Sequence, residues 1–167
     1  MLNLEPFLPF CRQLIREREK CKNVVSHYNN TSNPDMKISA DKACRVFGAI
    51  LTARWTRAFN NAEPVVFRHL GRNVYVDTPF MCDYGYNISI GDNVDIGTHC
   101  KLLDSGGITI RRNTSIRASV IIDTLKTLNE VKNTKGSRRV SVASKVHIGE
   151  NVHIGANCTI LPGISID

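Results

Sequence analysis

Residues 90–107 read IGDNVDIGTHCKLLDSGG, and residues 148–165 read IGENVHIGANCTILPGIS. Both stretches count in sixes. A branched aliphatic opens each block at Ile90, Ile96 and Leu102, and again at Ile148, Ile154 and Ile160, with Ile166 opening the next. Between them Ile110, Ile116 and Ile122 hold the same count after a phase slip of two residues. An amphipathic helix repeats its apolar residues roughly every 3.6 positions and a half-buried strand every second one, so neither produces this pattern. A fixed hexapeptide period marks a parallel β-helix. Three hexapeptides close one triangular coil, each opener points inward, and the Gly and Asn between them suit the left-handed backbone of the corners.

Working outward, LGRNVY and VDTPFM carry the spacing back to Leu70 and Val76, so the β-helix is expected to start near residue 65. The first coil would run to about Asn87, the second from Ile88 to about Gly107, and the third through about Asp123. The period is then lost over residues 124–145, a polar, basic insertion without hexapeptide phase, and resumes at Val146. Long structureless insertions in compact domains are usually functional or disordered. The count breaks off at Asp167, where a solenoid is expected to carry a cap, so the β-helix reads as truncated there.

Upstream the pattern turns helical. In residues 11–28, Leu14, Cys21, Val24, Val25 and Tyr28 form one apolar stripe, with Arg16, Glu17, Arg18, Glu19 and Lys20 largely off it. Asn and Ser residues and Pro34 end that helix. A second helix is expected from a Ser39 N-cap to about Phe47, and the stretch beyond it, which holds Trp55, reads either as its continuation or as a separate turn. The expected division is a helical N-terminal domain over 1–64 and a β-helix over 65–167.

The six cysteines are scattered, with no C-x-x-C pair, which argues against a zinc site and a disulfide framework and for a reducing cytoplasm. Cys100 and Cys158 share the fifth hexapeptide position and are expected to be core thiols. No run is apolar and long enough to span a bilayer. The net charge is +7, from 22 Lys and Arg against 15 Asp and Glu. The basic residues are dispersed, without interleaved aromatics or a nucleic-acid motif, so no nucleic-acid partner is expected. The same field would favour a polyphosphorylated small molecule.

Three strings carry a resemblance: CDYGYNISIGDN (82–93), VHIGENVHIGANCTILPGISID (146–167) and EREKCKNVVSHYNNTSNPD (17–35). Together they resemble the maltose and galactoside O-acetyltransferases, which include nodulation-factor acetyltransferases. The resemblance implies a left-handed parallel β-helix preceded by a small helical domain. It also implies a homotrimer with active sites between subunits, and transfer of acetyl from acetyl-CoA to a hydroxyl of a sugar or other small molecule. No metal and no membrane are implied. The acceptor oxygen would attack the thioester directly. A sugar hydroxyl is a weak nucleophile, so a base is needed, typically worth about 10²–10⁴-fold.

Carried over position by position, the resemblance puts Lys126 where the family has its catalytic His, and the insertion holds no His at all. An ordinary lysine is protonated near neutrality and is a base only when strongly desolvated. Lys126 reads as a cation on a reacting oxygen or as a solvated lysine. His99, which stands at the family's Asn, and His153 are both read at turn positions where a substitute base could lie, with His99 the catalytic candidate; the competing reading for each is an exposed corner histidine. Asp83, Tyr84 and Asp104 are the acceptor-binding candidates, and His153 and Ala156 the cofactor-binding ones. Lys132, Lys135, Arg138, Arg139 and Lys145 read either as contacts to cofactor phosphates or as a solvated face. The alternative function is a catalytically silent β-helix acting as a trimeric binding or structural module.

Overall fold

The computed structural model describes residues 11–30, 47–48, 50–51, 70–128 and 140–167. Trp55, the Ser39 N-cap, Cys44 and the loop cations Lys132, Lys135, Arg138 and Arg139 lie outside them.

The protein is a left-handed parallel β-helix with an N-terminal helix packed against its first coil. The first face holds β1 (Tyr75–Val76), β4 (Asp95–Ile96), β7 (Ser115–Ile116) and β12 (His153–Ile154). The second holds β2 (Met81–Cys82), β5 (Lys101–Leu103), β8 (Ile121–Asp123) and β13 (Thr159–Ile160). The third holds β3 (Ile88–Ile90), β6 (Ile108–Ile110), β11 (Val146–Ile148) and β14 (Ser165–Ile166). Every opener from Ile90 to Ile160 is buried, and Ile166 is partly buried against the same core. Each such side chain taken out of water stabilises the fold by roughly 1.5–3 kcal/mol.

Strand register explains the slip of two. Ile90 pairs with Ile110, and Ile96 with Ile116, so these coils advance by 20 residues. The extra pair sits at the edge between the second and third faces, where Asp83–Asn87 and Asp104–Gly107 make a wider turn. His147 pairs with Ser165, so the last coil returns to three strict hexapeptides.

The insertion departs from expectation. Its ends are an antiparallel hairpin, β9 (Leu125–Leu128) with β10 (Val140–Ala143), Lys126 opposite Val142. β-Branched and aliphatic residues at both ends supply strand propensity that a hexapeptide count does not register. The hairpin is tied to the coil at its base. The Thr124 hydroxyl donates to the Leu103 carbonyl at 2.6 Å and accepts the Gly106 N–H at 2.8 Å. A Cβ on Gly106 would lie 2.8 Å from the Ser144 backbone, so the returning strand needs glycine there.

Cys158 corrects a second expectation. Cys100 is buried, but Cys158 is exposed and not a core thiol. Phe80, Cys100 and Val120, at the equivalent position of the other coils, are buried. The strand after Cys158, β13, has a neighbour on one side only, so nothing covers the thiol.

The first helix, α1 (Arg12–Asn29), buries Cys21, Val25 and Tyr28 as its stripe predicts. Its C-terminal end is latched to the first coil. The Tyr28 hydroxyl donates to the Val76 carbonyl at 2.6 Å, and the Asn29 amide exchanges two hydrogen bonds with the Phe80 backbone, at 2.8 and 2.9 Å. Phe47, from a helical stretch, fills the angle between Tyr28 and Phe80 with ring centroids 5.3 and 5.5 Å away. No described helix is long and apolar enough to cross a membrane.

Candidate active site

Asp83, Tyr84 and Asp104 meet at the edge between the second and third faces. Asp104 is completely buried. One carboxylate oxygen accepts the backbone N–H groups of Asp83 and Tyr84, at 3.1 and 2.8 Å, and the other accepts that of Asn87 at 3.3 Å. The Asn87 amide returns a bond to the Asp104 carbonyl at 2.8 Å. Asp104 therefore braces the turn that leaves Asp83 half-buried and tucks Tyr84 into the core. Burial pushes its carboxyl up to about 6, against the opposing pull of the Tyr84 and Asn87 N–H groups. Partial burial also raises Asp83, and nearby Asp123 adds to the shift while Arg18 and Lys22 counter it.

Helix α1 walls this turn. Arg18 stands 5.8 Å above the Tyr84 ring, and Tyr84 and Tyr86 pack at 5.6 Å. The Tyr86 hydroxyl donates to the Glu17 carboxylate at 2.6 Å. Burial raises both phenols, Tyr84 to about 12, with the Glu17 bond adding to the shift of Tyr86. Both stay neutral donors near pH 7. Glu17, Arg18 and Tyr86 were not singled out in the sequence. The i, i+1 pair Glu17–Arg18 on the polar side of α1 was the available signal, but sequence alone does not say what that side faces.

Lys126 leaves the coil at this edge and is exposed. His99 and Ala156 lie at the opposite end of the second-face strands, on the edge shared with the first face. Among the described residues, one chain therefore does not bring Lys126 and His99 together. His153 projects outward from the first face opposite Ser115, and both His153 and Ala156 are exposed. Lys145, at the foot of the hairpin, is exposed as well.

His99 stands at a left-handed corner position with φ 60°. Ser119 (φ 60°) and Asn157 (φ 61°) take the same position in the following coils. A groove of about 400 Å³ opens on the remaining edge, beside Leu70, Ser89, Thr109 and Arg111. It touches none of the predicted site residues, and its arginines are engaged by Glu150, at 3.8 Å from Arg111 and 2.9 Å from Arg112.

Comparison with known proteins finds relatives for most of the chain. A model described as the hexapeptide repeat of succinyl-transferase matches residues 87–124 and 145–167. The structure resembles a maltose O-acetyltransferase from Clostridium difficile with a TM-score of 0.75 and 27% identity, covering 98% of this chain and 76% of that one. The chain is similar to hexapeptide-repeat acetyltransferases, a maltose O-acetyltransferase among them. A galactoside acetyltransferase solved with coenzyme A shares the fold at a TM-score of 0.72 and 20% identity, over 97% of this chain and 70% of that one. Nodulation protein L of Rhizobium leguminosarum is 27% identical over 117 residues, 64% of this chain. A Staphylococcus aureus relative described as an acetyltransferase is 28% identical over 100 residues, 60% of this chain. The chain spans 40% of the length of the latter relative and 57% of the former.

Proposed function

We propose that this chain is an acetyl-CoA-dependent O-acetyltransferase that acts as a cytoplasmic homotrimer on a hydroxyl of a sugar or related small molecule. The observation that carries the reading is the likeness to a maltose O-acetyltransferase over 98% of the chain. The turn at Asp83 and Tyr84 is the acceptor-binding edge in this reading, with helix α1 as its wall. Asp83 offers a carboxylate to sugar hydroxyls, Tyr84, buried between Arg18 and Tyr86, shapes the turn from beneath, and Asp104 holds the backbone that carries both. The thioester arm runs along the edge of His99 and Ala156, where Ala156 adds only one exposed carbon. His153, exposed on the neighbouring face, borders that path.

The acceptor oxygen attacks the acetyl carbonyl within a ternary complex, and none of the buried thiols takes part. Cys21, Cys82 and Cys100 are buried, and burial raises Cys100 while the hydrogen bond shared with Cys21 and burial raise Cys82. A protonated thiol is a poor nucleophile.

A second reading, a silent trimeric module, is favoured by one observation: exposed Lys126 at the position of the family's base. The deciding experiment incubates the chain with acetyl-CoA and a panel of mono- and disaccharides, measuring free CoA thiol and product mass. Acceptor-dependent thiol release with a singly acetylated sugar is expected. Trimers that bind coenzyme A yet acetylate nothing on the panel, and gain transfer on Lys126→His, would establish the silent reading instead.

A further inference from the structure

Two edges of the β-helix repeat the same left-handed corner, and they use it differently. On the edge between the third and first faces the position is filled by Asn73, Asn93, Asn113 and Asn151, with φ between 54° and 59°. Their amides bond to one another in sequence, at 3.0, 3.0 and 3.1 Å. That ladder is what the position looks like when it serves the fold. Asn accepts a left-handed backbone more readily than most residues, and its amide is both donor and acceptor.

On the edge between the first and second faces the equivalent residues are His99, Ser119 and Asn157, and they form no such ladder. Among the described residues the side chains of Ser119 and Asn157 make no hydrogen bond. His99 makes one, sideways: its Nδ1 lies 2.9 Å from the Thr98 hydroxyl oxygen. The Thr98 hydroxyl donates its only proton to the Thr78 carbonyl at 2.7 Å. A threonine hydroxyl has one proton to give and two lone pairs. With that proton committed, Thr98 is left as the acceptor and His99 Nδ1 as the donor. The neutral imidazole is thereby held as the Nδ1–H tautomer. Its Nε2 lone pair is left without a partner among the described residues, on an exposed residue. Fixing one ring nitrogen by a hydrogen bond at the other is how a histidine is prepared as a base. The hairpin, by contrast, carries no histidine.

We propose that the base for acyl transfer resides at this corner, on His99 Nε2, with Thr98 as the positioning residue that selects its tautomer. The inference rests on the transferase reading. In the reaction the acceptor hydroxyl gives its proton to Nε2 as its oxygen bonds to the acetyl carbonyl carbon. The carbon–sulfur bond of the thioester then breaks, and the imidazolium returns the proton to the departing thiolate.

Four variants test this on the full chain. His99→Asn puts the fold's own corner residue at this position, so melting should be unchanged or improved while kcat drops at least about 100-fold with little change in KM. His99→Gly should be equally slow and regain acetylation of the sugar on addition of free imidazole. Thr98→Val should lower kcat about tenfold, and Thr98→Ser should restore it. Long-range proton–nitrogen spectra of ¹⁵N-histidine-labelled protein, with the His99 ring assigned by its loss in His99→Asn, should show the Nδ1–H tautomer in the wild type and a mixture in Thr98→Val. A wild-type chain that acetylates sugars while His99→Asn keeps full kcat would overturn this inference and leave the transferase reading intact. An Nε2–H tautomer in the wild type would overturn it too. A wild-type chain inactive on every acceptor overturns both readings.

Discussion

Replacing Asp104 with alanine strips three backbone N–H groups of their acceptor: the buried one of Tyr84 and the half-buried ones of Asp83 and Asn87. A buried donor left without a partner costs roughly 1–3 kcal/mol. The bonds to Asp83 and Tyr84 are short and the third, at 3.3 Å, is weaker. With one donor buried and two half-buried, the loss is about 2–5 kcal/mol, large beside the roughly 5–15 kcal/mol that stabilise most domains. Asp104→Asn is the sharper probe. Its oxygen can keep the two bonds to Asp83 and Tyr84, while its amide sets a donor against the Asn87 N–H, a penalty of about 1–2 kcal/mol.

The two variants also separate the competing forces on the carboxyl. Burial favours the neutral acid and the N–H donors favour the anion; burial prevails and places Asp104 at about 6, above its ordinary 3.8. The folded protein then holds a proton in the window between those values that the unfolded chain has released. Stability must fall as pH rises from about 4 to about 6, by at most about 3 kcal/mol at about 1.4 kcal/mol per pKa unit. Asparagine does not titrate, so the stability advantage of wild type over Asp104→Asn should shrink across that window. Urea unfolding of both proteins from about pH 4 to about pH 7 measures it. An advantage that grows with pH would mean that the backbone donors outweigh burial and that the turn is held by an anion. That result would refute the reasoning.

Three further outcomes follow from the corners and thiols. Ser119 holds φ 60° with no compensating side-chain bond among the described residues, so Ser119→Gly should raise stability by up to about 1 kcal/mol, read as a higher Tm. Asn113 sits mid-ladder with an amide bond on each side, and Asn113→Ala should cost about 2–3 kcal/mol, with Asn113→Gly milder because glycine tolerates φ 58°. Native maleimide labelling mapped by peptide mass should modify Cys11 and Cys158 within minutes and spare Cys21, Cys82 and Cys100 until denaturant is added.

The hexapeptide count was legible because each opener answers to one force, burial, and burial repeats wherever the coil does. Ile96, Ile116 and Ile154 stand in one column for that reason alone. The count failed where a second force took over. Asp104 lies in phase beside Leu102 and Leu103, yet its value comes from three N–H groups up to 21 residues away, which only a known register brings together. The hairpin was hidden because its ladder pairs Leu128 with Val140 across residues that carry no period. Cys158 was misread because position in the hexapeptide says which way a side chain points but not whether a neighbouring coil covers it. The corner histidine is the instructive case. Its left-handed position was readable from the asparagines at 73, 93, 113 and 151, which recur on the neighbouring edge at the same coil spacing. What no spacing could supply was the direction of one proton, from the Thr98 hydroxyl to the Thr78 carbonyl. That proton separates a histidine spent on a turn from one held ready to accept a proton from an acceptor hydroxyl.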